Sequence, residues 1–128
     1  MKPQDRLLFQ LHAQICQALA NAKRLEILDA LRNGERSVGK LTDALGIRKA
    51  NASQHLAVLR AKGIVVARRE GQTIYYRLAT PKVIQACDLM RQVLLEHLDH
   101  SGRLARAARS QHLSGEEAEV RRKKVTRK

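Results

Sequence analysis

Between Ser37 and Leu78 the apolar residues change from a helical period to a strand period without a break, and that change leaves few folds open. Ser37 offers a hydroxyl N-cap to a short periodic segment, Val38, Leu41 and Leu45, and Gly46 supplies the flexible residue that a helix end prefers. After a tight turn at Gly46 and Ile47, the spacing predicts a second helix from about Lys49 to Lys62. Leu56 and Leu59 are its inward pair and Gly63 its stop. Beyond Gly63 the period becomes two, through Ile64 to Arg69 and again through Thr73 to Leu78, with Glu70, Gly71 and Gln72 between. That pattern predicts a β-hairpin with glycine in its turn. Helix, turn, helix and hairpin in this order predict a mainly α fold with a small β-hairpin, a winged helix-turn-helix.

The side chains placed on this frame point to double-stranded DNA. Lys49, Asn51, Ser53, Gln54 and His55 occupy the first turns of the second helix, with Arg60 further along. Such residues donate to phosphates or read base edges, and a recognition helix presents its N-terminal residues to the major groove. Residues 48 to 60 are therefore the expected groove element. Arg68, Arg69 and Arg77, with Gln72 in the turn, would make residues 68 to 77 a wing touching phosphates or the minor groove. His55 is read as a DNA contact or a support of its helix ahead of any ligand or catalytic role. Tyr75 and Tyr76 alternate across their strand, so one packs and the other faces out. Gly71 serves the turn, because no glycine-rich phosphate motif accompanies it.

The charge balance agrees. The 128 residues carry a formal net charge of +13, which favours a polyanionic partner. Residues 1–100 hold 16 basic against 9 acidic residues and residues 101–128 hold 9 against 3, so the end of the chain is a basic element in its own right. The expected division is a DNA-binding and dimerisation domain over 1–100 and a basic, flexible tail over 101–128, with Ser114 and Glu117 as a potential capping box. Such a tail would raise non-specific DNA affinity and its salt dependence, or simply be solvated. Aromatic residues are only 2%, so the core must be aliphatic. No secretory signal, membrane-spanning run or lipidation motif is legible, which predicts a cytoplasmic protein with no membrane partner and with Cys16 and Cys87 kept reduced.

Helices account for the rest. Residues 4 to about 20 put Leu8, Leu11, Ile15 and Leu19 on one stripe. Asn21 caps a helix predicted over Ala22 to Arg32, with Leu25, Ile27, Leu28 and Leu31 inward. Thr80 and Pro81 open a long last helix whose apolar arc, Val83, Ile84, Cys87, Met90, Leu94 and Leu98, is wider than one small domain needs.

Four separated runs, Leu19 to Leu28, Ser37 to Leu41, Ser53 to Arg60 and Arg69 through Leu78, together closely resemble the arsenical-resistance-repressor (ArsR/SmtB) family over roughly residues 10 to 98. Many members have proline where Ala22 stands. The resemblance implies a homodimer formed through the first and last helices, seated on operator DNA as a repressor. It also implies release by an inducer: a metal ion, a metalloid or a thiol-reactive species.

What the chain would sense rests on its two cysteines. A thiolate ligates soft metals or arsenic and can be oxidised or persulfidated, whereas many cysteines only pack. If the family fold holds, Cys16 and Cys87 lie on helices that pack together, so both readings stand. The family's Cys-x-Cys site in the helix before the turn has no counterpart in Val38 to Leu45. Its zinc-type site pairs an Asp-x-His early in the last helix with a later His-x-x-His or His-x-x-Glu on the opposing subunit. His97 and His100 keep the late spacing while Asp88-Leu89-Met90 lacks the early histidine, so Cys87 or Asp88 would have to complete four ligands. No cofactor is required beyond such an arsenite-type or zinc inducer. No nucleophile with its base, open metal centre or paired carboxylates is legible, and the chain reads as no enzyme. The alternatives are a constitutive DNA-binding regulator or architectural protein whose cysteines only pack, and an interaction module docking through its last helix and tail.

Overall fold

The computed structural model describes residues 1–102 and 106–110; the potential capping box at Ser114 and Glu117, with the rest of 111–128, lies outside the described residues. The elements are α1 (Pro3–Leu19), α2 (Ala22–Ala30), β1 (Arg36–Ser37), α3 (Val38–Leu45), α4 (Lys49–Ala61), β2 (Val65–Glu70), β3 (Thr73–Leu78) and α5 (Lys82–Ser101). Two compact units divide within α5, Met1–Cys87 and Asp88–Lys128.

The first unit is built by local signals that agree with its packing. Asn21 accepts a hydrogen bond from the Arg24 N–H at 3.1 Å and Ser37 from the Lys40 N–H at 3.2 Å, so α2 and α3 each begin on a side-chain cap. At the end of α4 the Ile64 N–H donates to the Leu59 carbonyl and the Gly63 N–H to the Arg60 carbonyl, both at 3.0 Å, with Gly63 at φ 70°. This double closure needs a left-handed residue at its second position, which glycine adopts without a Cβ clash. It turns the chain directly into β2, and it buries Ile64 beside Leu59.

The core is aliphatic, as the shortage of aromatics requires. Ile27, Leu28 and Leu31 from α2 and the turn after it, Leu41 from α3, and Leu56 and Leu59 from α4 are almost completely withdrawn from water, with Ile64, Val65, Tyr76 and Ile84 closing the cluster. Val83 and Cys87 on the first turns of α5 pack against it. At the start of that helix Thr80 Oγ1 accepts from the Lys82 N–H at 3.3 Å.

Three features differ from the sequence expectation. Residue 36 opens a third strand: β1 pairs with β3, giving a sheet in the order β1-β3-β2, with Ser37 opposite Tyr75. Two residues are too few to show a period. Helix α2 stops at Ala30, short of the expected Arg32, because the Leu31 N–H is shared between the Ile27 and Leu28 carbonyls and the chain tightens into a turn. Leu25 is 40% exposed where it was expected inward. At about 100° per residue it falls well outside the arc that Ile27, Leu28 and Leu31 share, so one helix face cannot hold all four.

Candidate nucleic-acid interface

Helix α4 buries Ala52, Leu56 and Leu59 in the core. At about 100° per residue this stripe leaves Gln54 roughly opposite it, with Ala50 and Ala57 alongside and Asn51 about a right angle round the helix from it, and all four are exposed. Two amides able to read base edges thus stand among small side chains that would let a helix backbone approach closely. Lys49, Ser53 and Arg60 are exposed nearer the flank of the helix, and His55 is half-buried on the other flank. The turn Gly46 to Arg48 joins α3 to α4, and α3 is tied down by Leu41, so the outward face is held by buried contacts on both helices.

The electrostatics favour a polyanion. From Ala44 to Arg69 the chain carries Arg48, Lys49, Arg60, Lys62, Arg68 and Arg69 and not one Asp or Glu. The N-cap of α4 is Arg48, which makes no side-chain cap; the helix opens on Lys49 and has no acidic residue in its first turn. Backbone N–H groups and the positive end of the helix dipole are therefore left facing solvent, where phosphate oxygens could accept from them. Arg48 lies at the first position of the expected groove element, 48 to 60, but is not among the contacts singled out from the sequence; its place one residue before Lys49 is the available signal.

The hairpin forms where expected, and its register sets Arg68 opposite Tyr75 and Arg69 opposite Ile74. Its two-residue loop is Gly71 and Gln72, with Gly71 at φ 62°. Positive φ at the first loop position alone matches the type II′ hairpin turn, which glycine suits. Alternation puts Arg69 on the face of the sheet shared with Ala67 and Tyr76, and Arg68 and Arg77 on the other face with Tyr75. Tyr76 is buried in the core and Tyr75 is half-buried under Arg68. Gln72, Arg69 and Arg77 are exposed.

Arg68 is engaged in a way the sequence did not suggest. Its Nε and Nη2 donate to the two carboxylate oxygens of Glu35 at 3.1 and 2.6 Å, and its Nη1 donates to Glu70 at 2.8 Å. The guanidinium lies 4.7 Å from the centroid of the Tyr75 ring. Those hydrogen bonds hold the Glu35 carboxyl below its ordinary value against the opposing effect of burial, with the charges of Arg68 and Arg77 adding to them. Glu35 is 33 residues away in sequence, and no spacing rule reaches that far.

The remaining candidates lie elsewhere. Cys16, on α1, is exposed, and Cys87, on α5, is half-buried against the core. His97 and His100 are exposed on the later part of α5. Among the described residues of one chain, no three His, Cys, Asp or Glu gather where they could hold a metal ion. Among those residues, too, no helix is long and apolar enough to cross a membrane.

Residues 21–66 match the model for "Bacterial regulatory protein, arsR family". The chain is 44% identical over 86 residues to the HTH-type transcriptional regulator Rv0324 of Mycobacterium tuberculosis; the match covers 67% of this chain and 38% of that longer protein. It is 32% identical over 100 residues to the HTH-type transcriptional repressor SmtB of the same species, covering 78% of this chain and 69% of the repressor. Among solved structures it resembles the homodimeric winged helix-turn-helix DNA-binding domain Mb0332 from Mycobacterium bovis. That match has a TM-score of 0.70 at 40% identity and covers 78% of this chain and 93% of the domain.

Proposed function

The chain belongs to the arsR family of bacterial regulatory proteins, a family of DNA-binding transcriptional regulators and not of enzymes, and from that premise we propose that it is a homodimeric repressor that occupies operator DNA until an inducer releases it. The observation that carries the reading is the exposed surface of α4: Gln54 opposite the buried stripe and Asn51 exposed beside it, in a stretch of six cations without an acid. In this reading Asn51, Ser53 and Gln54 meet base edges. Lys49, His55, Arg60, Arg69, Gln72 and Arg77 meet phosphates or support those that do. A second copy covers the exposed apolar residues of α1 and α5, as homodimeric assembly does in the Mb0332 domain. Such a regulator works in the cytoplasm, where its DNA is.

The inducer enters through the thiols. Cys16 is exposed, which favours chemistry at that sulfur over a packing role. Cys87 sits against the core that supports α4, so a ligand or oxidant joining it would strain the DNA-binding unit. Soft metals, arsenite and reactive sulfur species all prefer such a sulfur.

Fluorescence anisotropy on duplex DNA from upstream of the gene tests both parts. Truncation of Gln54 to alanine is expected to cost about 1 to 3 kcal/mol on the preferred duplex and little on scrambled sequence; an equal loss on both removes Gln54 from base reading. Titration with arsenite, zinc or a persulfide donor should release wild type and leave the Cys16→Ser, Cys87→Ser double variant bound. Retention of both proteins under all three agents would make the cysteines packing residues of a constitutive DNA binder.

A further inference from the structure

The cluster of Arg68, Glu35, Glu70 and Tyr75 is not explained by phosphate contact. Strands β1 and β2 lie on opposite sides of β3. Arg68 nevertheless reaches from β2 over the Tyr75 ring of β3 to Glu35, in the segment just before β1. Register explains how: Arg68, Tyr75 and Ser37 form one row across the sheet. Alternation puts Glu35 on the same face as Ser37, two residues on. Ser37 is also the N-cap of α3. The side chain therefore joins the outer strand of the wing to the segment that opens the helix-turn-helix.

We infer that Arg68 is a positioning residue which, through its fork on Glu35 and its seat on Tyr75, fixes the wing relative to the helix-turn-helix, and that Arg69 and Arg77 are the wing's phosphate-binding cations. Three features carry this. All three guanidinium nitrogens already donate to carboxylates, two of them as a planar bidentate pair, the geometry for which arginine is better suited than lysine. One cation is set between two carboxylates, so the positive charge of Arg68 is already compensated within the cluster and is not free for a phosphate. Arg69, by contrast, has no ion pair among the described residues, and the only hydrogen bond described for the Arg77 side chain goes to the Leu78 carbonyl. Arg68 stays 51% exposed and Glu35 30%, so an isolated pair here would be worth little. A bidentate fork within a network, over a ring, is the case in which exposed ions do hold a geometry.

The inference rests on the DNA-binding reading, and the experiment separates their failures. Affinity for a fluorescein-labelled duplex from upstream of the gene is measured across a salt series for wild type, Arg68→Lys, Glu35→Gln, the charge swap Glu35→Arg with Arg68→Glu, and Arg69→Ala, with circular dichroism confirming that each is folded. A positioning role predicts that Arg68→Lys, which keeps the charge and loses the fork, binds about threefold to tenfold more weakly with an unchanged salt slope. It predicts the same direction for Glu35→Gln, although that change removes a negative charge, and partial recovery in the swap. Arg69→Ala should weaken binding and lower the slope by about one. Wild-type affinity in Arg68→Lys, tighter binding by Glu35→Gln, or a swap no better than Arg68→Lys overturns the inference. Wild type that binds no duplex even at low salt overturns the DNA reading instead.

Discussion

Helices α3 and α4 and the longer helices α1 and α5 are all amphipathic in sequence, yet they meet opposite fates in the single chain. Leu41, Leu56 and Leu59 are fully buried, while Leu8 on α1 is 67% exposed and Met90 on α5 is 68% exposed. The same contrast runs along each longer helix. On α1, Ala18 is buried and Leu19 packs on the core, whereas Leu7, Leu8, Phe9, Leu11 and Ile15 do not. On α5, Ile84 is buried and Leu89, Met90, Val93, Leu94 and Leu95 are exposed. An apolar side chain of this size gains about 1.5 to 3 kcal/mol when taken fully out of water. Ten left outside are too many to treat as the scattered apolar residues of an ordinary surface. The difference teaches that the helix-turn-helix buries its apolar face within the core of the single chain, while the outer helices keep apolar faces in water that the proposed second copy would cover.

The largest expected effect breaks the comparison from its buried side. Leu56→Ala should cost about 2 to 5 kcal/mol in denaturant unfolding, because the site is closed on all sides by Ile27, Leu28 and their neighbours and cannot easily collapse. Leu8→Ala, measured alongside as the change on an exposed face, should cost the monomer far less. Equal losses would mean that the two regions do not differ as described.

Charge on the exposed faces is the next test. Leu11→Glu and Leu94→Glu, each at a residue left half exposed, should leave the helical spectrum intact and convert the dimer to monomer in sedimentation velocity. Since the two half-sites of an operator would then be bound separately, operator affinity should fall by about a hundredfold or more. A variant that stays dimeric would show that its helix face is not the covered one.

A smaller effect separates helices whose starts serve stability from the one whose start is left open. Ser37→Ala and Asn21→Ala remove observed caps and should each cost about 1 kcal/mol. Arg48→Ala, at the uncapped start of α4, should leave unfolding nearly unchanged while weakening DNA binding. A destabilisation by Arg48→Ala equal to that of Ser37→Ala would remove the distinction.

How much of this was legible follows from the range of each interaction. Asn21, Ser37, Gly63 and Gly71 act within a few residues of themselves, so sequence places the caps, the stop and the hairpin turn correctly. Leu56 and Leu59 repeat at helical spacing and were read as core for the same reason. What escaped was set by partners distant in sequence or by very short elements: the two-residue strand β1, the outward turn of Leu25, and the carboxylate of Glu35 beneath Arg68. In the candidate site, the residue types on α4 were legible from its pattern. The engagement of Arg68 by Glu35 and Glu70 was not, because strand alternation names faces and not occupants.

The smallest effect distinguishes the regions by pH. Among the described residues no charged or polar side chain is buried, so acid has no ionisable group to reach inside the core. The wing's clamp is ionic. Hydrogen bonding to Arg68 lowers the Glu35 carboxyl from an ordinary value of 4.5. A carboxyl depressed in the folded state binds its proton more readily when unfolded, so its contribution is whole above that ordinary value. The contribution declines as pH falls below it and is gone once pH has passed the folded value. The gap in unfolding stability between wild type and Glu35→Gln should therefore hold steady from about pH 7 to about pH 5 and close as pH falls further. The gap between wild type and Leu56→Ala, which keeps the Glu35 carboxyl and its partner, should not close over the same range. A Glu35→Gln gap that persists to about pH 2 would mean that the amide disturbs the segment sterically and that the ion pair contributes nothing measurable to folding.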